Sequence, residues 1–165
     1  NDVLELSRIE SGNMSFHCED CSAHHFAETV YQTHQVIILP PVEFIKEFPD
    51  EDVTIHIDRM RLTQVITNFL GNAKKFTSQG HIKLGYFCDK EKKEIHFFVE
   101  DTGAGIPKEE LQMIFERFYK RNEFVQGVGL GLAISKVIVE KMNGHIDMQS
   151  EVNKGSRFTA VLPYL

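Results

Sequence analysis

The stretch EIHFFVEDTGAGIP, residues 94–107, decides how this chain is read. Its first half alternates apolar and polar residues, with Ile95, Phe97 and Val99 on one side, the period of a strand with one buried face. Asp101 closes the strand, Gly103 and Gly105 free the backbone to turn, and Pro107 sits where a helix begins, with Glu109 and Glu110 in its first turn. An Asp at a strand end can accept a hydrogen bond from an exocyclic amine. Glycines beside it let the backbone pass close to a flat ring, although an ordinary strand-to-helix turn asks for the same residues.

Working outward, HIKLGYFC (81–88) alternates Ile82, Leu84, Tyr86 and Cys88, and DKEKK turns the chain, so the two runs form a long hairpin. HIDMQSE (145–151) and SRFTAVLP (156–163) form a second hairpin across VNKG. NMSFHCED (13–20), VEFIKEF (42–48) and VTIHI (53–57) read as further strands, the last two separated by the acidic turn PDED. Ser22 caps a helix running to about Gln35, before Pro40 and Pro41. Asp58 caps another, in which Leu62, Ile66, Phe69, Leu70, Ala73 and Phe76 recur at helical spacing. The helix opened by Pro107 is expected to end near Phe118, and a later one to run to Asn143 and close on Gly144. This order predicts an α+β fold: a two-layer sandwich with one mixed, mostly antiparallel sheet covered on one face by helices.

The totals set limits. A chain of 165 residues, 42% hydrophobic and 25% charged, makes one sizeable globular domain. A net charge of -6 argues against a general nucleic-acid binder. No apolar run is long enough to span a bilayer. Three cysteines, Cys18, Cys21 and Cys88, leave no disulfide framework and point to a reducing, cytoplasmic setting. NDVLELSRIESG has the spacing of a helix end stopped by Gly12, so residues 1–12 are expected to finish a preceding helical element and 13–165 to form the domain.

A second glycine cluster, GVGLGLAISK (127–136), places Gly127, Gly129 and Gly131 at the mouth of a helix, where N–H groups can meet an anion. It is not a dinucleotide loop, despite Glu151 standing 20 residues past Gly131, because polar YKRNEFVQ precedes it instead of a strand. Nor is it a P-loop, since no Gly-Lys-Ser/Thr follows. A third element, NFLGNAKKFT (68–77), puts Asn68, Asn72 and Lys75 at i, i+4 and i+7 on one helix face beside the apolar stripe. Asn oxygens are hard ligands suited to Mg²⁺, and a lysine is a mobile point charge suited to phosphate.

Together NFLGNAKKF, DTGAGIP, FERF and GVGLGL resemble, in order and spacing, the N, G1, F and G2 boxes of the ATP-binding catalytic domain of sensor histidine kinases, within the Bergerat-fold (GHKL) ATPases. DRMRLTQVITNFLGNAKKFT and NKGSRFTAVLP are similar to the flanking family segments, and LSRIESGNM to the end of the second helix of the dimerisation and phosphoacceptor domain. The resemblance implies ATP and Mg²⁺ as cofactors, with Asn72 on the metal, Asn68 beside the reacting phosphate and Lys75 on phosphate oxygens. It implies that Asp101 accepts from the adenine amine, with Gly103, Gly105 and Ile106 shaping the pocket and Thr159 near the ring. Phe115 and Phe118 would secure the base of an ATP lid over 119–126, from which Tyr119, Lys120 and Arg121 reach the nucleotide or a partner. Gly127, Val128, Gly129, Leu130, Gly131 and Leu132 would line the phosphates. Two departures stand out: Val128 replaces a frequent Thr, and Asn153 a frequent Gly, while Gly155 remains.

Hydrolytic relatives carry a Glu where Asn68 stands. An amide cannot usefully take a proton from water, so Asn68 implies a domain that holds ATP until an imidazole attacks the γ-phosphate. None of the eight histidines has an acceptor context; His56 in HIDR comes nearest and reads as a strand residue. The expected partners are therefore a separate phosphoacceptor domain within a homodimeric, membrane-anchored parent, and a receiver domain downstream. The alternative is a degenerate docking module without kinase activity. Separately, HCEDCSAHH gathers His17, Cys18, Cys21, His24 and His25, enough soft ligands for Zn²⁺.

Overall fold

The computed structural model describes residues 4, 7, 8, 12, 15–111, 113 and 131–164. In chain order the elements are β1 (Glu19–Ser22), α1 (Ala23–Gln35), β2 (Val42–Glu47), β3 (Thr54–Ile57), α2 (Arg59–Phe76), β4 (Gly80–Asp89), β5 (Glu94–Asp101), α3 (Lys108–Leu111), α4 (Gly131–Lys141), β6 (His145–Glu151) and β7 (Gly155–Pro163). Five strands form one sheet in the order β2-β4-β5-β7-β6, antiparallel except for the β2–β4 pair. The expected α+β sandwich is borne out.

Strand alternation explains the layers. Ile82, Leu84 and Tyr86, Ile95, Phe97 and Val99, and Phe158, Ala160 and Leu162 share one face of the sheet and join one core. Onto it pack Phe26 and Val30 of α1, Leu62, Val65, Ile66 and Phe69 of α2, and Ile134, Ile138 and Val139 of α4. Phe69 and Phe158 stack with ring centres 5.5 Å apart, and Phe26 meets Phe97 edge-on at 5.3 Å. Each such fully buried side chain contributes about 1.5–3 kcal/mol of transfer free energy. The opposite face is covered by its own side chains: the Arg157 guanidinium lies 3.9 Å from the centre of the Phe98 ring.

The caps read from sequence are present. Ser22 Oγ accepts from the His25 N–H at 3.0 Å, and Asp58 Oδ1 from the Arg61 N–H at 3.1 Å. Two expectations need correcting. The strand expected over 13–20 is confined to Glu19–Ser22, and it pairs with β3 in a separate two-stranded sheet. Upstream, the His17 N–H is spent on Asp58 Oδ2 at 2.8 Å, which leaves that segment on the α2 cap and off any ladder. The helix expected to close on Gly144 instead ends through Asn143, which takes the left-handed conformation at φ 65.

Candidate functional site

The β5–β7 register builds one end of the site. Asp101 pairs with Ser156, so both side chains leave the sheet on the helix-covered side, in line with Val99 and Phe158. Asp101 is only 7% exposed, and its Oδ1 accepts from the Gly103 N–H at 2.8 Å. Burial pushes its carboxyl above the ordinary Asp value, while the Gly103 and Ser156 N–H groups pull it back. Thr77, the C-cap of α2, is 5% exposed. Its hydroxyl acts on Asp101 in the same direction as those N–H groups. No hydrogen-bond geometry links it to any described residue, so it is a buried donor still to be used. A carboxylate and a hydroxyl thus meet where α2 and β5 end, convergent polar groups of the kind that orient a ligand in a pocket.

The loop after Asp101 is bolted to the β6–β7 hairpin. Ser150 Oγ accepts from the Ile106 N–H at 2.7 Å, donates to the Gly155 carbonyl at 3.1 Å, and lies 2.8 Å from Ser156 Oγ. The Asn153 N–H reaches the Ala104 carbonyl at 2.8 Å. Gly103 and Gly105 are required by this packing. A Cβ on Gly103 would lie 2.3 Å from the Phe76 carbonyl, and one on Gly105, at φ 74, 2.1 Å from that of Glu151. Neighbouring backbone therefore excludes side chains at both positions, before any ligand does. Ile106 is half-buried against the core.

The other end of the site is set by α2 and α4. Asn68 is half-buried, and its Nδ2 donates to the Gly131 carbonyl at 3.1 Å and to Ser135 Oγ at 3.0 Å. This ties the middle of α2 to the first turn of α4, beside half-buried Leu132. Asn72 is half-buried and Lys75 exposed; among the described residues the Asn72 amide has no hydrogen bond and Lys75 no ion pair. Helix α2 carries Asn68, Asn72, Lys75 and Thr77 in sequence, so Asn68 and Thr77 are separated by about 14 Å of helix rise. The arrangement offers an amide oxygen to a hard cation, an ammonium to an anion, and a buried carboxylate to a donor. That donor set fits a magnesium nucleotide.

One expected contact is not brought together. Thr159 pairs with Phe98, so its side chain leaves on the face opposite Asp101, next to Phe98 and Arg157. The reason is the two-residue period: 156, 158 and 160 point one way and 157 and 159 the other. Ser156 occupies the position assigned to Thr159. With Ser156, Thr77 and Ser135 are the residues that sequence reasoning missed. The signal for Ser156 was its parity with Phe158, Ala160 and Leu162; for Ser135, which is 0% exposed, there was none. Phe115, Phe118, Tyr119, Lys120, Arg121, Gly127, Val128, Gly129 and Leu130 lie outside the described residues. Among the described residues no group of three or more His, Cys, Asp or Glu side chains is placed to hold a metal, so the soft ligands of 17–25 are not gathered into such a group. Cys21 turns toward the core, Cys18 and His25 are exposed, and the His24 ring packs edge-on against Phe48 at 5.7 Å.

The chain is similar in sequence and fold to known proteins. The family model described as "Histidine kinase-, DNA gyrase B-, and HSP90-like ATPase" matches residues 57–165. The sensor histidine kinase WalK of Bacillus subtilis is 34% identical over 169 residues, which cover 99% of this chain and 28% of WalK. The crystal structure of full-length ShkA in complex with AMPPNP superposes with a TM-score of 0.91 at 28% identity, over 99% of this chain and 35% of that one. The nucleotide-free catalytic domain of the histidine kinase ThkA gives a TM-score of 0.79 at 28% identity, over 90% of this chain and 97% of that one.

Proposed function

Because this chain belongs to the histidine kinase-, DNA gyrase B- and HSP90-like ATPase family, we infer that it binds Mg–ATP and serves as the catalytic domain from which the γ-phosphoryl group passes to a histidine on a separate domain. One observation carries the reading: buried Asp101 beside the unpartnered Thr77 hydroxyl at one end of α2, with the uncommitted Asn72 amide and Lys75 ammonium on the same helix. Asp101 accepts from the adenine amine, and Thr77 and Ser156 complete the polar wall around it. Asn72 holds magnesium, which when bound offsets charge on the phosphate oxygens. Lys75 takes a phosphate oxygen.

Asn68 argues for transfer over hydrolysis. It is an amide, and its N–H groups are committed to Gly131 and Ser135. It can order the attacking group without removing a proton from water. An imidazole nitrogen then bonds to the γ-phosphorus as the bond between that phosphorus and the β,γ-bridging oxygen breaks, and the oxygen leaves with ADP. This chain's residues hold and align the nucleotide for that in-line step. The acceptor belongs to a homodimeric parent that passes the phosphoryl group on to a receiver domain. No helix among the described residues is long and apolar enough to cross a membrane; the nucleotide places the domain in the cytoplasm, with any anchor elsewhere in the parent.

The test is incubation with γ-labelled ATP and magnesium, with and without a phosphoacceptor domain supplied in trans. Acid-labile label is expected on the acceptor only. Label on a histidine of this chain alone would contradict transfer to a separate domain. Absence of Mg–ATP binding in calorimetry would remove the reading altogether and leave a docking module.

A further inference from the structure

The side of α2 turned away from the core faces a groove of which the proposed activity uses only Lys75. A cavity of about 440 Å³ opens there between α1 and α2, lined by Ile37, Ile38, Leu70 and Gly71 together with Lys74 and Lys75. Beside it the chain leaving α1 presents a shelf of large apolar side chains: Val36 is 76% exposed, Ile37 42% and Leu39 60%. The exposed stripe of α2 along the groove is Met60, Thr63, Thr67 and Gly71, without a charge until Lys74. A helix face in contact with water is ordinarily charged, and a contiguous apolar surface ordinarily marks an interface.

Shape and charge select the occupant. A Cβ on Gly71 would meet nothing within 4 Å, so there is open room above the small residues for another helix to come close. Lys74 and Lys75 form no ion pair among the described residues, although the chain carries a net charge of -6. The helix dipole accounts for lysines in a last turn, but not for the apolar shelf next to them. We propose that the α1–α2 groove docks an amphipathic helix of a partner, its apolar side chains seated between Ile37, Leu70 and Gly71 and its acidic end against Lys74 and Lys75. Apolar anchors in a groove supply affinity in such contacts, and the charged end sets orientation. The proposal is independent of the nucleotide reading, apart from sharing Lys75.

The probe is a fluorescent peptide of about four helical turns, with leucines at helical spacing and glutamates at one end, followed by anisotropy without nucleotide. Its counterpart carries lysines in place of the glutamates. A Cβ on Gly71 meets nothing within 4 Å, so Gly71→Gln sets a side chain at the mouth of the groove in place of a helical glycine and is expected to fold as stably as the native chain. Binding in the micromolar range is expected. It should weaken by about tenfold or more for the lysine peptide, for Gly71→Gln and for Lys74→Glu, with melting temperatures held or raised. Absence of binding up to about 1 mM overturns the proposal, as does equal binding by the two peptides or by Gly71→Gln. Mg–ATP affinity of Gly71→Gln, measured separately, keeps this outcome apart from a failure of the nucleotide site.

Discussion

Replacing Asn68 with Ala tests whether the amide is a structural tie as well as a site residue. It severs two hydrogen bonds, to the Gly131 carbonyl at 3.1 Å and to Ser135 Oγ at 3.0 Å. A neutral hydrogen bond contributes about 1 kcal/mol net, and a buried polar group left unpaired costs about 1–3 kcal/mol. Ser135 is 0% exposed, so water does not replace its partner, whereas half-buried Asn68 leaves room for water on the Gly131 side. Asn68→Ala should therefore cost about 2 kcal/mol and lower the melting temperature by about 4–8 °C. Ser135→Ala removes one acceptor and spares the Gly131 bond, for about 1 kcal/mol. The double variant loses the shared bond once, so the cycle should show a coupling of about 1 kcal/mol. Urea titrations followed by circular dichroism give these values, with an unchanged m confirming that the unfolded state is not the cause. Additivity within about 0.3 kcal/mol, or a single cost for Asn68→Ala below about 0.5 kcal/mol, refutes the tie.

Asp101→Asn separates stability from binding. Burial raises the Asp101 pKa in the folded chain, so the native state holds the proton more tightly than the unfolded one, and the contribution of Asp101 to stability falls as pH rises from its ordinary value of 3.8. The variant should flatten that slope and be more stable at neutral pH, yet bind Mg–ATP at least about tenfold more weakly; parallel stability curves for the two proteins would count against it. Asn72→Ala should abolish the magnesium dependence of nucleotide binding in calorimetry, and Lys75→Ala should weaken ATP more than adenosine, which has no phosphate to lose. Tyr86 is 2% exposed, its hydroxyl has no partner, and its pKa is pushed up to about 12 by burial. Tyr86→Phe removes that stranded group and should stabilise the domain by about 1 kcal/mol in thermal melts, where a loss of similar size would show a hidden partner.

The parts legible in the sequence were those set by local chemistry. The β4–β5 and β6–β7 hairpins follow from alternation on either side of polar turns, and α1 and α2 from the Ser22 and Asp58 caps ahead of apolar periodicity. What escaped depends on contacts between distant segments. β1 is fixed by its pairing with β3, Glu19 against Ile57 and Ser22 against Thr54, which no local pattern announces. Asp101 was visible because it ends a strand before two glycines, and Asn68 and Asn72 because they share one polar helix face beside an apolar stripe. Ser135 was invisible because a serine inside an apolar helix carries no mark of the amide that it faces. Thr159 was misplaced because the resemblance named a strand and not a register, and the register alone decides which face a side chain takes.

On the proposed role of Asp101, its pairing with Ser156 also makes base selection a matter of counting. Were β7 to slide by one residue against β5, Arg157 would replace Ser156 opposite Asp101, and its guanidinium would neutralise the carboxylate and fill the space beside it. Such a chain could keep its strands, turns and glycines and still be blind to adenine. Phe98 and Arg157 lie on the far side of the sheet from Asp101, so the register that pairs Asp101 with Ser156 is what keeps that cation out of the proposed site.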